Sequence, residues 1–516
     1  MQLKKYKLGE LIDVRRGASL AGEYYATEGK LMRLTLGHFD YQGGGFKDNT
    51  SKNDLYFTGP VKPEFILSEG DIITPLTEQT PGLLGSTAMI PESGKYIQSQ
   101  DVALVTPYES KLDRNFCYYL LPSKIVKQQL AAGAQQTKIR HTTPDRIKDL
   151  TVFIPDLANQ KAIGLLLHDI DRKIALNREI NRNLEAMARQ LYDYWFVQFD
   201  FPDENGKPYK SSGGKMVWNE KIKREIPEGW DCMNIGNYAQ CKGGYAFKSK
   251  DFGNEGLPVI KIGNIHEDYT LSMADCLKVT GLYNHQFTTN KYDLVIAMTG
   301  ATIGKFAISP SKYWVNQRVG RFDLGDRPLE RLGYLFNSLK QQYFRKQVFQ
   351  IAGGCAQPNI SNDQIDSILI LKPTDILLDK YNKTCMPLLR LLIKNILEIE
   401  LLIEKRDTLL PLLMNGQVSV MPSEVNCDLV FISLMKSIVY NHCLGFLLHM
   451  SSCIRNCLNL LRKKNIIKNL SGILRFFLAA SAKFRQSKPK GFSFLNSRNH
   501  LKNNSQTSSK INLNSF

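Results

Sequence analysis

The chain contains one long pattern twice, and this internal repeat is the feature that most constrains its fold. The first copy runs from Leu8 to about Val197 and the second from Ile235 to about Val418. Matching positions hold the same residue in both copies: Gly17 and Gly244, Gly37 and Gly263, Asp71 and Asp293, Gln100 and Gln317. The offset between the copies drifts from 217 to 227 residues. Because a period this long is not that of a solenoid array, the sequence predicts two homologous domains with two similar surfaces.

Each copy begins with a globular segment that is predicted to be mostly β. In residues 1–155, β-branched runs such as 71–74 and 102–106 alternate with Gly and Pro, which is typical of short strands joined by turns. One helix is predicted over residues 114–130. Residues 231–373 repeat the pattern, so we expect a second domain of the same mixed α/β kind.

A long helix is predicted after each globular segment, over residues 156–200 and 374–420. In both helices the residues that line one face are spaced alternately four and three apart, which is the heptad pattern of a coiled coil. The apolar members of the two stripes are Ile163, Leu167, Ile170, Ile174, Leu184, Leu191, Leu389, Leu392, Ile396, Ile399, Ile403 and Leu410. About 40 residues at 1.5 Å each give a rod of roughly 60 Å.

Apolar stripes of this kind must be buried, and the sequence leaves two ways to do so. The helices pair with each other in antiparallel orientation, or each helix packs on its own globular domain. Their similar lengths favour mutual pairing. Asn177, Asn181 and Arg406 fall within the stripes, where polar groups cost stability but fix the register. The predicted fold class is α+β, with two homologous mixed α/β domains separated by two long helices paired as an antiparallel coiled coil.

A connector and a tail complete the chain. Residues 201–230 form a polar connector rich in turn residues, and residues 421–516 match neither copy. The tail carries 14 Lys and Arg against 2 Asp and Glu, so it supplies +12 of the net charge of +18. We interpret it as read-through, a sequence-level fusion or a disordered segment, with an ordered functional tail or a basic nucleic-acid-binding arm as the alternatives. The remaining positive charge is mild but still indicates a polyanionic partner.

Composition argues against several classes of protein. Hydrophobic residues make up 43% of the chain and charged residues 22%, as in globular proteins. The ten cysteines form no C-x-x-C pair, which favours free thiols in a reducing compartment. The N-terminus does not resemble a signal peptide, and residues 1–420 contain no stretch apolar enough to span a bilayer. We therefore expect a cytoplasmic protein with no membrane partner.

No arrangement of residues in the sequence indicates catalysis. The segment GATIGK at residues 300–305 has one residue too few between its glycines for a phosphate-binding loop, and Phe306 replaces the Ser or Thr that would hold magnesium. Its flanks predict a β-hairpin instead. Residues 202–207 resemble a fragment of a nuclease motif, but their carboxylates and lysine lie together in one polar segment, which favours a turn. The eight histidines show no metal-ligand spacing, so we expect no catalytic residue, no metal and no cofactor in this chain.

Polar side chains in loops indicate recognition. Arg and Lys suit guanine edges, Asn and Gln suit adenine edges, and all of them suit backbone phosphates. The candidate DNA-binding residues are Arg33, His38, Gln100, Lys138 and Arg140 in the first copy and Lys242, Lys261, Asn264, Lys305, Arg318 and Gln357 in the second. The alternative for each of them is a solvated charge or a structural hydrogen bond.

Several segments resemble a known family. The run YDYWFVQFDF at residues 192–201, followed by IPEGW at 226–230, resembles the centre of a type I restriction–modification specificity subunit. GATIGK and the QPNI of residues 357–360 resemble parts of the target-recognition domains of that family. The first copy departs from the family in lacking the Pro-Glu-Gly-Trp segment. The resemblance covers residues 1–420.

The resemblance implies a division of labour. Two target-recognition domains would each read one half of a bipartite, asymmetric sequence in double-stranded DNA, while the paired helices set the gap and dock two methyltransferase subunits. Those subunits would methylate adenine N6 with S-adenosylmethionine, and two restriction subunits would translocate and cleave DNA with ATP and magnesium.

Two other functions compete with this one. One rival is a self-sufficient restriction–methylation enzyme, which would need a methyltransferase motif. Another is a coiled-coil scaffold that binds only protein.

Overall fold

Most of the repeat region can be followed in a computed structural model of the chain. It describes residues 1–40, 44–78, 82–133, 140–273, 276–281, 284–353 and 358–420. The predictions made for the 421–516 tail, Lys138 and Gln357 therefore lie outside the described residues.

The first domain is built mainly of short strands joined by turns. Its strands are β1 (Lys4–Lys7), β2 (Ile12–Arg16), β3 (Tyr25–Ala26), β4 (Leu31–Arg33), β5 (Tyr56–Phe57), β6 (Ile72–Pro75), β7 (Thr77–Glu78), β8 (Ala88–Met89), β9 (Tyr96–Ile97), β10 (Val102–Pro107), β11 (Arg140–His141) and β12 (Thr151–Ile154). Its helices are α1 (Arg114–Leu120), α2 (Lys124–Gly133) and α3 (Pro144–Lys148). The prediction of one helix over 114–130 is wrong, because Pro122 lacks the backbone N–H that a helix interior needs.

The second domain follows a long helix and the connector. The elements before it are α4 (Leu157–Tyr192), β13 (Met216–Asn219) and β14 (Arg224–Pro227). Its strands are β15 (Asp231–Asn234), β16 (Cys241–Gly243), β17 (Phe252–Gly253), β18 (Leu257–Ile260), β19 (Lys278–Val279), β20 (Leu294–Ala297), β21 (Phe306–Ile308), β22 (Trp314–Val315), β23 (Val319–Phe322) and β24 (Leu369–Lys372). Its helices are α5 (Ile235–Tyr238), α6 (Leu329–Leu339), α7 (Gln342–Ala352) and α8 (Asn362–Asp366), and the long helix α9 (Asp375–Met414) follows them.

The two domains share one sheet topology, which confirms the predicted duplication. A four-stranded sheet has the order β2-β10-β6-β8 in the first domain and β16-β23-β20-β21 in the second. A second sheet has the order β3-β5-β4-β9 and, correspondingly, β17-β19-β18-β22. In both copies the last pair of that sheet is parallel. A two-stranded sheet, β1-β12 or β15-β24, joins the first strand of each domain to the last.

Two short predictions about turns can be compared directly with the structure. Strands β20 and β21 pair in antiparallel orientation on either side of the GATIGK segment, with Leu294 opposite Ile308. This is the predicted hairpin. In the connector, Asp203 Oδ1 accepts hydrogen bonds from the backbone N–H groups of Asn205 (2.9 Å) and Lys207 (2.7 Å). The acidic side chain therefore closes a turn, as predicted.

The long helices begin and end close to the predicted positions, and a capping side chain marks the start of α4. At the start of α4, Asp156 accepts a hydrogen bond from the backbone N–H of Asn159 at 3.0 Å, which caps the helix. The helix continues beyond Tyr192 into one π-helical turn, Asp193–Val197. Helix α9 is 40 residues long and contains Pro387 and Pro411.

Helices α4 and α9 pair in antiparallel orientation through polar contacts as well as apolar ones. Partner numbers fall along α9 as they rise along α4: Asp171 contacts Arg406 at 2.8 Å, Asn177 contacts Glu398 at 3.0 Å, and Asn181 contacts Asn395 at 3.0 Å. The three polar residues predicted in the stripes therefore all have partners on the opposite helix. Because a one-residue slip would break each of these interhelical contacts, they fix the register of the pair.

The apolar stripes are buried in both of the ways that the sequence left open. Ile163 and Leu167 on α4, with Leu413 on α9, belong to the core of the first domain. Leu184, Leu389, Leu392 and Ile396 belong to the core of the second. Among the predicted pairing residues, those that are buried are Ile163, Leu167, Ile174, Leu184, Leu389, Leu392 and Ile396, and those that are partly exposed are Ile170, Leu191, Ile399, Ile403 and Leu410. The helices thus pair with each other, and each end of the pair also packs on a domain.

Polar contacts tie each domain to α4, and one in each domain marks a point near the middle of the helix. In the first domain, the hydroxyl of Tyr119 donates to Asp171 Oδ2 at 2.6 Å. In the second domain, the ammonium of Lys340 lies 2.8 Å from Glu185 Oε2, and its side chain is 6% exposed. Burial lowers the pKa of Lys340, against the opposing effect of Glu185. The two points are 14 residues apart on the helix, or about 21 Å at 1.5 Å per residue.

Candidate nucleic-acid interface

In each domain two loops cross, those at Gly17 and Ser99 in the first domain and those at Gly244 and Asn316 in the second. These crossed loops approach each other so closely that only glycine fits at the crossing. A Cβ atom on Gly17 would lie 2.2 Å from the carbonyl oxygen of Ser99, and one on Gly244 would lie 2.2 Å from that of Asn316. The next residues pair as parallel bridges, Ala18 with Ser99 and Tyr245 with Asn316. The glycines matched in the sequence therefore hold the same loop crossing in both domains.

The crossed loops present exposed polar side chains on a fixed backbone. In the first domain, Arg16 Nε donates to the carbonyl of Gln100 at 2.9 Å. In the second, the N–H of Gln317 donates to the carbonyl of Tyr245, also at 2.9 Å. Gln100, Gln317 and the adjacent Arg318 are exposed. A side chain on such a support reaches a ligand without the entropic cost of ordering a loop.

The surroundings of the crossed loops differ between the domains. In the first domain, a cleft of about 400 Å³ lies beside them, and Lys52, Gln100 and Asp101 are among the residues that line it. In the second, the loop carries an aromatic cluster, with ring centroids of Tyr245 and Phe247 5.1 Å apart and those of Phe247 and Trp314 5.9 Å apart. The same backbone arrangement is therefore surrounded by polar side chains in the first domain and by aromatic side chains in the second.

Two of the predicted DNA-binding residues instead stabilise a turn. The side chain of His38 is fully buried, and its Nδ1 accepts a hydrogen bond from the N–H of Thr35 at 3.0 Å. Asn264 Oδ1 accepts one from the N–H of Lys261 at 2.7 Å, at the equivalent turn. Burial lowers the pKa of His38, which keeps the ring neutral. Both side chains close a turn, and His38, being fully buried, has no surface to offer to DNA, whereas Asn264 is partly exposed.

Two further candidates pack against aromatic rings in the second sheet of each domain. Arg33 is 6% exposed; its guanidinium lies 3.8 Å from the ring centroid of Tyr25 and forms a 3.1 Å ion pair with Asp54. The ammonium of Lys261 lies 4.5 Å from the ring of Phe252. Arg33 therefore holds strands together and also lines the cleft beside the crossed loops, whereas Lys261 remains partly exposed.

Three more candidates form ion pairs. Arg140 lies 3.4 Å from the buried Glu78, Lys305 lies 3.3 Å from Glu267, and Lys242 contacts Asp323. The hydrogen bond from Lys242 lowers the pKa of Asp323. The two lysine pairs are partly exposed and such pairs contribute little stability, so the lysines remain able to exchange a carboxylate for a phosphate.

Among the predicted residues that the structure describes, Gln100 and Arg318 both lie at the crossed loops, one position apart in the alignment of the two copies. Sequence reasoning missed Asp101, Lys52 and Tyr245 there. For Asp101 a signal existed, because the offset of 217 residues that matches Gln100 with Gln317 also matches Asp101 with Arg318.

None of the helices in the described part of the chain is long and apolar enough to cross a membrane. Within the same residues, no group of three or more His, Cys, Asp and Glu side chains has an arrangement that would hold a metal ion.

The glycine crossing predicts a substitution with a clear control. We expect Gly244→Ala to lower the free energy of unfolding by about 1–3 kcal/mol, because the new Cβ meets backbone atoms that cannot move independently. Gly263→Ala is the matched control in the same domain, since nothing lies within 4 Å of the Cβ position there. Urea denaturation measures both. Equal stability of the two variants would contradict the close crossing.

Two equivalent loop crossings on one helical rod define a recognition protein with two related binding domains. A family model described as the type I restriction modification DNA specificity domain matches residues 2–186 and 227–375. The chain therefore belongs to the type I restriction–modification specificity family, as the sequence resemblance predicts, and is a specificity subunit that confers DNA sequence specificity.

Individual relatives agree with this assignment. The MjaIX specificity subunit of Methanocaldococcus jannaschii is 22% identical over 313 residues, which are 59% of this chain and 69% of the relative. The HindI specificity subunit of Haemophilus influenzae is 24% identical over 414 residues, 70% of this chain and 89% of the relative. The crystal structure of the type I S subunit from M. genitalium is similar in fold, with a TM-score of 0.52 at 17% identity, covering 80% of this chain and 96% of that one.

Proposed function

We propose that each domain reads one half of a bipartite, asymmetric target in double-stranded DNA. The observation that carries this proposal is the repeated loop crossing, which presents Gln100 in the first domain and Gln317 with Arg318 in the second. Glutamine and arginine are side chains that pair with base edges in the major groove. Because the scaffold is the same and the side chains differ, two related but unequal half-sites are expected.

We propose further that the paired helices set the gap between the half-sites. The domains are tied to α4 at Asp171 and Glu185, and the antiparallel contacts fix the register of α9 against it. A rigid spacer of this kind holds the two DNA-reading domains at a fixed distance from each other. A rod of roughly 60 Å exceeds one turn of B-DNA, about 34 Å, so it has the length to hold two readers in successive major grooves.

The catalytic work belongs, in this proposal, to partner subunits. Two methyltransferase subunits would dock on the helices and methylate adenine N6 with S-adenosylmethionine. Two restriction subunits would join them to translocate and cleave DNA with ATP and magnesium. This chain would act in the cytoplasm without a catalytic residue or cofactor of its own. Methylation by the purified chain alone, given S-adenosylmethionine, would favour the rival of a self-sufficient enzyme.

Exchange of one domain tests the division of the target. The chain is produced with its methyltransferase partner, and residues 1–155 are replaced by the corresponding segment of another specificity subunit. Sequencing of the methylated sites should show one altered half-site, with the other half-site and the gap unchanged. Because each half is read by one domain, a change in both halves would contradict the assignment.

A further inference from the structure

The crossed loops carry opposite charges at one equivalent position. Asp101 in the first domain and Arg318 in the second both stand immediately before a strand, β10 or β23. The carbonyl of Asp101 accepts from the N–H of Leu76 at 2.8 Å, and the carbonyl of Arg318 accepts from the N–H of Met298 at 3.0 Å. The backbone is therefore held in the same way, and the difference lies in the side chains.

Both side chains lie beside a glutamine that the two domains share. Gln100 and Gln317 are exposed, Arg318 is exposed and Asp101 is partly exposed. Asp101 lines the cleft of the first domain together with Gln100. A shared glutamine gives the two surfaces a common contact, so the neighbouring acid or base is the feature that makes them different.

The two charges have opposite preferences for a base edge. A guanidinium donates two hydrogen bonds to the O6 and N7 acceptors of guanine, whereas a carboxylate carries acceptors only and is repelled by that edge. A good bidentate pair discriminates against the wrong base by roughly 5- to 150-fold. Repulsion of the wrong base is an equally effective source of specificity.

We propose that Arg318 selects a guanine in the half-site of the second domain and that Asp101 excludes guanine at the corresponding place in the first. The residue at position 101 in one domain and 318 in the other then gives the two half-sites different base preferences. The proposal rests on the proposed function, because it requires both domains to read DNA.

The test is selection from a randomised DNA library by the full chain in complex with its methyltransferase partner. Arg318→Gln should lower the preference for guanine at one position of the second half-site by at least about 5-fold. The first half-site should stay unchanged. Arg327→Gln is the matched control, because this exposed arginine of the same domain pairs with Glu330 away from the crossed loops. It should leave every base preference unchanged.

The reciprocal variant tests the first domain, and each contradicting result has its own meaning. Asp101→Arg should create a preference for guanine in the first half-site. If Arg318→Gln weakens binding uniformly and lowers its salt dependence, Arg318 contacts a phosphate and the proposal is wrong. Unchanged base preferences in both variants overturn it as well. A wild-type complex that selects no split sequence would instead contradict the proposed function and remove the inference with it.

Discussion

We expect the gap between the two DNA half-sites to shorten by about 3 base pairs when residues 173–179 and 397–403 are deleted together. These segments face each other between the points at which the domains are tied to the helices. Each deletion removes one heptad, about 10 Å of helix, and the base-pair rise is about 3.4 Å. The deletion takes out both members of the Asn177–Glu398 contact and keeps the Asp171–Arg406 and Asn181–Asn395 contacts.

A length-preserving control separates the gap from the local sequence. Arg178 is exposed within the same segment, so Arg178→Ala should leave the gap unchanged. The methylated sites or the sequences selected from a DNA library measure the gap in each case. A deletion variant that folds and keeps the original gap would show that the helices do not set it.

The second large effect is expected at Phe196, in the π-helical turn at the end of α4. Its ring centroid lies 4.8 Å from that of Tyr381, 5.1 Å from Tyr334 and 5.8 Å from Trp230. This cluster joins α4, the connector, the second domain and α9. Phe196→Ala should therefore lower the free energy of unfolding by about 3–5 kcal/mol, because it leaves a cavity among rings that cannot collapse.

The adjacent residue supplies the control for Phe196. Val197 lies in the same turn but is 42% exposed, so Val197→Ala should change the free energy of unfolding by less than about 0.5 kcal/mol. Chemical denaturation followed by tryptophan fluorescence measures both variants. Similar losses for the two would mean that the aromatic cluster does not stabilise this junction.

The helices and the duplication were predictable because their signals are local. A heptad stripe is written in one continuous segment, and the repeat can be found by aligning the chain with itself. The share of the stripe that each domain covers was not predictable. Ile163 and Leu184 occupy equivalent positions in the heptad stripe of α4, yet Ile163 packs on the first domain and Leu184 on the second.

The candidate site was predicted less well, because residue type does not reveal what a polar atom already binds. His38 and Asn264 are suitable base readers by chemistry, but each accepts the backbone N–H three residues before it. Arg33 is held by Asp54, 21 residues away in sequence. Gly17 was matched in the repeat, but the reason for it, Ser99, lies 82 residues further along the chain. Contacts over such separations depend on the fold.

The most direct test of two readers held at a fixed distance is the sequence that the wild-type complex recognises. The full chain with its methyltransferase partner would be used to map methylated adenines across a genome of known sequence. We expect a single asymmetric target made of two short specific parts with a constant gap between them. A continuous motif, or a gap that varies from site to site, would contradict the central claim.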